Sequence, residues 1–305
     1  MKALVTGGAG FIGSNIVDRL INDGHDVIIL DNLCTGREQN INPKAKFYNI
    51  DITDSAIEKI FEENKIDVVF HLAAQIDVRK SVSNPIFDAK TNIIGAINLL
   101  NMIQKYKVGK IIYSSSGGAV YGEPTKLPAD ETHPVRPLAP YGISKHCPEH
   151  YIEYYHDLYN VKYTILRYAN VYGPRQDPLG EAGVIAIFMG RMLKGETPII
   201  FGDGNQTRDY VFVGDVVNAN ISAIDKGDNQ IYNIGTGKET SVNEIYAVLS
   251  KLIENSPKAV YEAKRPGEVE RICLNTDRAK KELSWSAEVT LEEGIKKTLA
   301  FNSSL

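Results

Sequence analysis

Tyr141 and Lys145 stand four positions apart in the stretch PYGISKHCPE, the spacing that puts two side chains on one face of a helix. A tyrosine so placed can take a proton from a hydroxyl if its pKa is brought from about 10 toward 7, which needs roughly 4 kcal/mol of preferential stabilisation of the phenolate. A lysine charge about 4 Å away contributes roughly 1 kcal/mol in water and about 4 kcal/mol at an effective dielectric of 20, so the lysine must be partly enclosed. Otherwise the pair is a surface tyrosine beside a solvated lysine. The spacing alone is weak, because Tyr106 and Lys110 repeat it. There Gly109 separates a helix end from the next strand, whereas Tyr141 follows Pro140, a favourable first-turn residue. Pro148 is expected to kink the helix one turn beyond Lys145 and spare the reactive turn.

A second group of residues lies at the start of the chain. In TGGAGFIGS, glycines 7, 10 and 13 form G-x-x-G-x-x-G, and 8, 10 and 13 also satisfy G-x-G-x-x-G. Between a strand and a helix, this pattern allows a tight turn, a backbone close to a pyrophosphate, and helix N–H groups aimed at the phosphates. The second strand ends IILDN, with Asp31 eighteen positions after Gly13. A carboxylate there accepts hydrogen bonds from both ribose hydroxyls and repels a 2′-phosphate, which favours NAD over NADP; Arg37 weakens that preference. Asp51, at the end of the third strand, either meets the adenine edge or serves as a helix-cap or turn residue. An oxidised nicotinamide would bring a second positive charge to Tyr141.

The elements that must hold these groups follow from the apolar pattern. KALVT, HDVIILD, KFYNID, IDVVFHLA, KIIYSSS and VKYTILRY are short β-rich runs separated by amphipathic stretches such as SNIVDRLIND. Strands alternating with helices predict an α/β fold, a doubly wound parallel sheet (Rossmann fold) covered on both faces. We read residues 1–168 as the NAD-binding domain, with 208–234 returning to it, and 169–305 as a smaller, interleaved α/β substrate-binding lobe. The length of 305 residues and 43% hydrophobic content suit about two domains with a large core. A net charge of −4 without a basic run argues against nucleic acid or anionic membranes as partners. Cys34, Cys147 and Cys273 are far apart and outside any C-x-x-C, so no disulfide framework or metal site is expected. No signal peptide or membrane-length apolar stretch is read, and a reducing cytoplasm fits.

Taken together, TGGAGFIGS, LDNLCTG, FHLAAQ, SSSGGAVYGEP, PYGISK, LRYANVYGPRQDPLGEAGV, GDGNQTRDYVFVGDV, YNIGTG and RPGEVER give specific motifs in a fixed order. Over nearly its whole length the chain resembles the extended short-chain dehydrogenase/reductase superfamily and, within it, the UDP-galactose 4-epimerase (UDP-glucose 4-epimerase) family. The resemblance implies tightly held NAD lined by Gly7, Gly10, Phe11, Ile12, Gly13, Asp31, Asn32, Thr35, Gly36, Asp51, Ile52, Leu72, Ala73, Ala74 and Ser114. Asn92, Tyr141, Lys145 and Tyr168 would lie near the ribose and nicotinamide. It implies that Asn170, Val184, Phe201, Arg208 and Arg265 hold the UDP-sugar, and that two copies pair as a homodimer through the helix after Asn84 and the helix carrying Tyr141. Catalysis would fall to Tyr141, Lys145 and a strand-end serine: hydrogen leaves carbon 4, a 4-keto sugar turns over, and hydrogen returns to the opposite face.

The serine is a departure from the family pattern. Counting along IIYSSS gives Ser116, while counting back from Tyr121 gives Gly117; strand register favours Ser116, with Ser115 in reserve. Gly117-Gly118 stands where nucleotide-sugar 4,6-dehydratases carry an acidic pair, which argues against dehydration. UDP-glucuronate 4-epimerases carry an arginine where this chain has Asp177, which would repel a carboxylate and favours a neutral hexose. Ile272, at a position that walls the sugar pocket in the family, is intermediate in size and predicts weak turnover of N-acetylated sugars. A catalytically silent NAD sensor is the alternative of a different class; retention of both Tyr141 and Lys145 argues against it.

Overall fold

The structure is a computed structural model that describes residues 1–178, 183–264 and 269–302. Seven strands, β1 (Lys2–Thr6), β2 (Asp26–Leu30), β3 (Lys46–Tyr48), β4 (Val68–His71), β5 (Lys110–Ser116), β6 (Lys162–Tyr168) and β7 (Gln230–Ile234), form one parallel sheet in the order β7-β6-β5-β4-β1-β2-β3. The strand order reverses between β1 and β4, and the crevice at the carboxyl ends there is where such sheets bind ligands. The expected doubly wound Rossmann sheet is therefore the fold observed.

Period-two alternation decides which strand residues face which layer. Ala3, Val5, Val27, Ile29, Phe70, Ile112, Leu166 and Tyr168 pack on the side of helices α1 (Phe11–Asn22) and, later in the chain, Val213–Asp225. Leu4, Ile28, Leu30, Val69, Ile111, Tyr113 and Ile165 pack on the other side, against α2 (Gly95–Lys105) and α3 (Pro140–Tyr159). Both faces are buried, which is why the strands read as continuous apolar runs.

The chain leaves the sheet after β6. Short strands Asn170–Tyr172 and Tyr210–Phe212 pair with each other, and a third apolar cluster gathers Phe188 and Met189 of helix α4 (Val184–Leu193) with Ile245 and Leu249 of the helix Val242–Leu252 and Ile295 of the helix Leu291–Asn302. Helix Val213–Asp225 packs on α1, and β7 adds to the sheet beside β6. Among the described residues no helix is long and apolar enough to cross a membrane, and no group of three or more His, Cys, Asp or Glu is placed to hold a metal ion.

Candidate active site

The glycine turn is shaped by close backbone approach. Gly7 has φ +68°, and a Cβ on it would lie 2.8 Å from the Ala73 nitrogen; a Cβ on Gly13 would lie 2.1 Å from the Gly7 oxygen. No side chain caps α1, so the N–H groups of its first turn, from Phe11, Ile12 and Gly13, are open to an anion. Asp31, buried at the end of β2, accepts from Ala9 N at 3.0 Å and Leu33 N at 2.8 Å. Burial raises its pKa above the usual carboxylate value, and those two N–H groups oppose the rise. Gly36 backs directly onto it: a Cβ there would sit 2.7 Å from Asp31 Oδ1. Thr35 is exposed beside it. Asn32 Nδ2 donates to Asp51 Oδ2 at 2.7 Å, and Ile52 is buried against Gly95. Burial works to raise the pKa of Asp51, but hydrogen bonds from Thr53 and Asn32 outweigh it and leave it lowered. These turns leave room for backbone, phosphate and ribose where side chains would collide, so the residues present fit NAD.

Leu72, Ala73 and Ala74 follow β4, and a buried threonine sets their path. Thr6 Oγ1 accepts from Leu72 N and Ala73 N, each at 3.1 Å, so its own proton must go to His71 Nδ1, 2.8 Å away. His71 is thus the neutral tautomer with its proton on Nε2. Burial, with the Lys145 charge nearby, pushes its pKa down to about 3.

The turn carrying Tyr141 and Lys145 is fixed by polar contacts from outside its helix. Ala139 occupies the N-cap position and has no side-chain acceptor; the Ser81 hydroxyl, 60 residues earlier in the chain, accepts from Tyr141 N at 3.1 Å instead. Ser144 donates to the Tyr141 carbonyl at 3.1 Å and accepts from Asn92 Nδ2 at 2.9 Å. Asn92 lies in a π-helical turn, Lys90–Ile94, that runs into α2, and its Oδ1 accepts from Gln75 N at 2.7 Å. α3 continues through buried Pro148 to Tyr159, with the reactive turn ahead of the proline.

Lys145 is only 4% exposed, with Nζ 4.6 Å from the centre of the Tyr113 ring, while the Tyr113 hydroxyl donates to the Lys145 carbonyl at 3.0 Å. Burial lowers the lysine pKa to about 8, opposed by the carboxylates of Glu149 and Asp88. It therefore remains mostly charged at neutral pH, in the enclosed setting that phenolate stabilisation requires.

Strand alternation separates the three serines. Ser115 faces α3 and donates to Glu149 Oε1 at 2.5 Å. Glu149 is buried and paired with buried Arg167 of β6 at 2.5 Å, and His146 Nδ1 donates to it at 3.0 Å. Burial would raise the Glu149 pKa, but these hydrogen bonds and the arginine hold it well below the usual range. Ser114 shares the Tyr168 hydroxyl with Asn220 on the opposite face, where Tyr168 is a core residue. Ser116 ends β5, and its hydroxyl makes no hydrogen bond among the described residues. Of the three, Ser116 is the one whose hydroxyl is uncommitted.

The remaining residues follow β6 in the chain. Asn170 N donates to Asp209 O at 2.9 Å, and its Oδ1 lies over Gly118, 3.3 Å from where a Cβ would be. Arg208 Nη1 donates to the Thr207 carbonyl at 2.8 Å. Val184 opens α4 and Phe201 ends the short strand Ile199–Phe201. Arg265 lies outside the described residues. One expectation changes. Asp177 pairs with Arg37 at 2.7 Å, so its charge is largely answered and its repulsion of a substrate carboxylate is weaker than an isolated aspartate's. Ile272 is packed in the core beside the sheet, its N–H bonded to the Thr207 carbonyl.

A parallel sheet with a glycine cradle and a Tyr–Lys turn at its carboxyl edge defines an NAD-dependent enzyme of the extended short-chain dehydrogenase/reductase superfamily. Residues 3–235 match the NAD dependent epimerase/dehydratase family, and the chain belongs to that family. It is 56% identical over 296 residues to the putative UDP-glucose 4-epimerase of Methanocaldococcus jannaschii, covering 97% of this chain and 96% of that one. The structure of UDP-glucose 4-epimerase with UDP-glucose from Thermotoga maritima matches with a TM-score of 0.97 and 51% identity, over 100% of this chain and 99% of that one. The complex of Thermus thermophilus UDP-glucose 4-epimerase with NAD matches with a TM-score of 0.94 and 42% identity, over 99% and 98%.

Proposed function

We propose that the chain epimerises carbon 4 of a UDP-hexose, interconverting UDP-galactose and UDP-glucose through a transient 4-keto sugar. The observation that carries this reading is the enclosed Lys145 one helical turn from Tyr141, at the sheet edge that also bears Ser116, in a chain similar over its whole length to UDP-glucose 4-epimerases. NAD, when bound, accepts and returns the hydrogen of carbon 4 as hydride.

Tyr141 takes the proton of the 4-hydroxyl and gives it back after the sugar has turned over. Lys145 stabilises the phenolate through its charge, and Ser116 holds the sugar oxygen with its uncommitted hydroxyl. Asn170, Arg208 and Arg265 grip the UDP end, which keeps the keto sugar from leaving while its ring reorients. Gly7, Gly10, Gly13, Asp31 and Asp51 retain the dinucleotide, which ends each cycle as it began.

The same reading pairs two copies through the helices 85–105 and α3. Ile86 and Ile94 from the first region and Ile143, Tyr154 and Leu158 from the second are exposed apolar side chains, Ile86 at 82%. Light scattering should give a dimer, and a monomer at micromolar concentration refutes the pairing. Three free cysteines suit a reducing compartment, the cytoplasm, which fractionation of the source cells would test.

The test of the reaction is incubation of the purified chain with UDP-galactose, without added cofactor, and resolution of the products. UDP-glucose should appear, and Tyr141→Phe should lose most turnover while keeping bound NAD. Near-normal turnover in that variant removes Tyr141 from the role of base.

A further inference from the structure

Arg37 counts against the NAD preference set by Asp31, Asp177 counts against a carboxylate on the substrate, and the structure joins the two. Arg37 follows Gly36, which backs onto Asp31, and its backbone N–H bonds to the Ala9 carbonyl in the glycine turn at 3.0 Å. The base of its side chain is therefore part of the dinucleotide cradle, on the side of the Asp31 ribose position. Its guanidinium reaches Asp177, 2.7 Å away, in the segment that follows the short strand Asn170–Tyr172.

That segment is tied to the cradle at two more points. Pro174 O accepts from Asn15 Nδ2 of α1 at 3.4 Å, and Arg175 Nη2 meets Asp18 Oδ2 of α1 at 2.6 Å. Arg175 holds φ at +73°, a backbone conformation an arginine adopts at a cost and keeps here while paired with Asp18. Asp18 also accepts from Asn42 Nδ2 at 2.7 Å, so its carboxylate is fixed from both sides. Residues 174–177 thus run from the middle of α1 to the loop that wraps Asp31.

We propose that Asp177 is a cofactor-specificity and retention residue: by pairing with Arg37 it clasps the smaller lobe's segment onto the dinucleotide cradle and withholds Arg37 from a 2′-phosphate. Asp31 excludes that phosphate by its charge. Asp177 removes the one nearby cation in the Leu33–Arg37 loop that could compensate. This rests on the chain holding NAD, not on which sugar it turns over, so dinucleotide binding is the readout.

The pair is half exposed, 46% and 39% for the two side chains, so its effect on retention is that of a surface ion pair. The experiment uses full-length wild type, Asp177→Asn, Arg37→Gln and the double variant, loaded with NAD and passed into buffer with an excess of a competing dinucleotide, while loss of NAD is followed by time. Equilibrium affinities for NAD and NADP are measured on the stripped proteins by calorimetry. Asp177→Asn should release NAD about two- to fivefold faster, the range of an exposed pair, and should bind NADP about tenfold more tightly than wild type, because a freed guanidinium gains a charge-assisted contact with the phosphate. Arg37→Gln should release NAD equally fast but gain nothing toward NADP, and the double variant should match Arg37→Gln. Unchanged NAD release and an unchanged NADP-to-NAD ratio in Asp177→Asn overturn the proposal. A wild type that binds neither dinucleotide overturns it together with the NAD reading, whatever the sugar assay gives.

Discussion

Replacing Lys145 by methionine should make the NAD-free protein more stable while abolishing turnover. A buried lysine whose pKa falls from 10.5 to about 8 burdens the fold with about 3 kcal/mol at neutral pH, at 1.36 kcal/mol per tenfold change in proton affinity. The group is almost fully buried, so solvent does little to reduce that figure. Methionine fills a similar volume without a charge, but it gives up the contact between Nζ and the Tyr113 ring, worth roughly 1–2 kcal/mol in a desolvated setting. The net gain expected for Lys145→Met at pH 7 is therefore about 1–2 kcal/mol. The pH dependence is more discriminating than the size. Below pH 8 the lysine is protonated in both the folded and unfolded chain, and the burden is fully present. Between about 8 and 10.5 the folded protein releases the proton while the unfolded chain keeps it, so the wild type gains stability relative to the variant. Urea unfolding of both proteins from pH 7 to pH 10 measures the gap, and other titrations cancel in the difference. A variant less stable than wild type at pH 7, or a gap that stays constant from pH 8 to 10, refutes the claim that this lysine is held charged against its environment.

Two further substitutions test what holds the reactive turn. Ser81→Ala leaves Tyr141 N without its acceptor and should cost about 1 kcal/mol of stability, the usual worth of a helix cap, and lower kcat more than it changes KM; unchanged kcat would show that the cap does not position the base. Glu149→Gln removes the largest of the two carboxylate effects that keep Lys145 charged, so the alkaline limb of the pH–rate profile should move to lower pH; because it also leaves Arg167 buried without its counter-charge, about 3–5 kcal/mol of stability should go with it, and a stable variant with an unmoved profile contradicts both statements.

What the sequence disclosed depended on how local the physics was. Gly7, Gly13 and Asp31 were legible because a turn that admits no Cβ, followed by a helix and a second strand, is a short-range demand. The sheet was legible because strands buried on both faces must be apolar throughout. Long-range polar contacts were not. Ser81 capping Tyr141 joins residues 60 apart, Glu149 of α3 meets Arg167 of β6 18 positions later, and Arg37 meets Asp177 140 positions later. A signal for the first was present but unread: Ala139 cannot cap, so some other acceptor had to serve the first turn. Ser115 and Ser116 could be ranked only by strand register; the side-chain alternation that separates them acts once β5 is paired with β6, where Ser115 stands opposite Arg167. Asn92 shows the reverse. Its expected place beside the ribose is argued from resemblance, whereas its side chain is already engaged with Gln75 and Ser144.

The polar contacts around α3 also explain how a helix whose second half carries a proline can begin with a precisely held turn. Apolar packing fixes a helix against a sheet without fixing its rotation or its slide, because dispersion contacts are many and individually weak. Hydrogen bonds are directional, and three sets of them bracket the reactive residues: Ser81 on the Tyr141 N–H, Ser144 with Asn92 on the Tyr141 carbonyl, and Ser115 with Arg167 on Glu149. The first two locate Tyr141 along the helix axis. The third, one turn past Lys145, locks rotation about that axis and ties α3 to the strand that ends in Ser116. Tyr141, Lys145 and Ser116, the base, ammonium and sugar-binding hydroxyl of the proposed reaction, are thereby referred to one another through buried polar groups, the kind of arrangement that proton transfer demands. Pro148 falls among these constraints, so the hydrogen bond it denies to the Ser144 carbonyl weakens a part of the helix whose position is already set from the strand side.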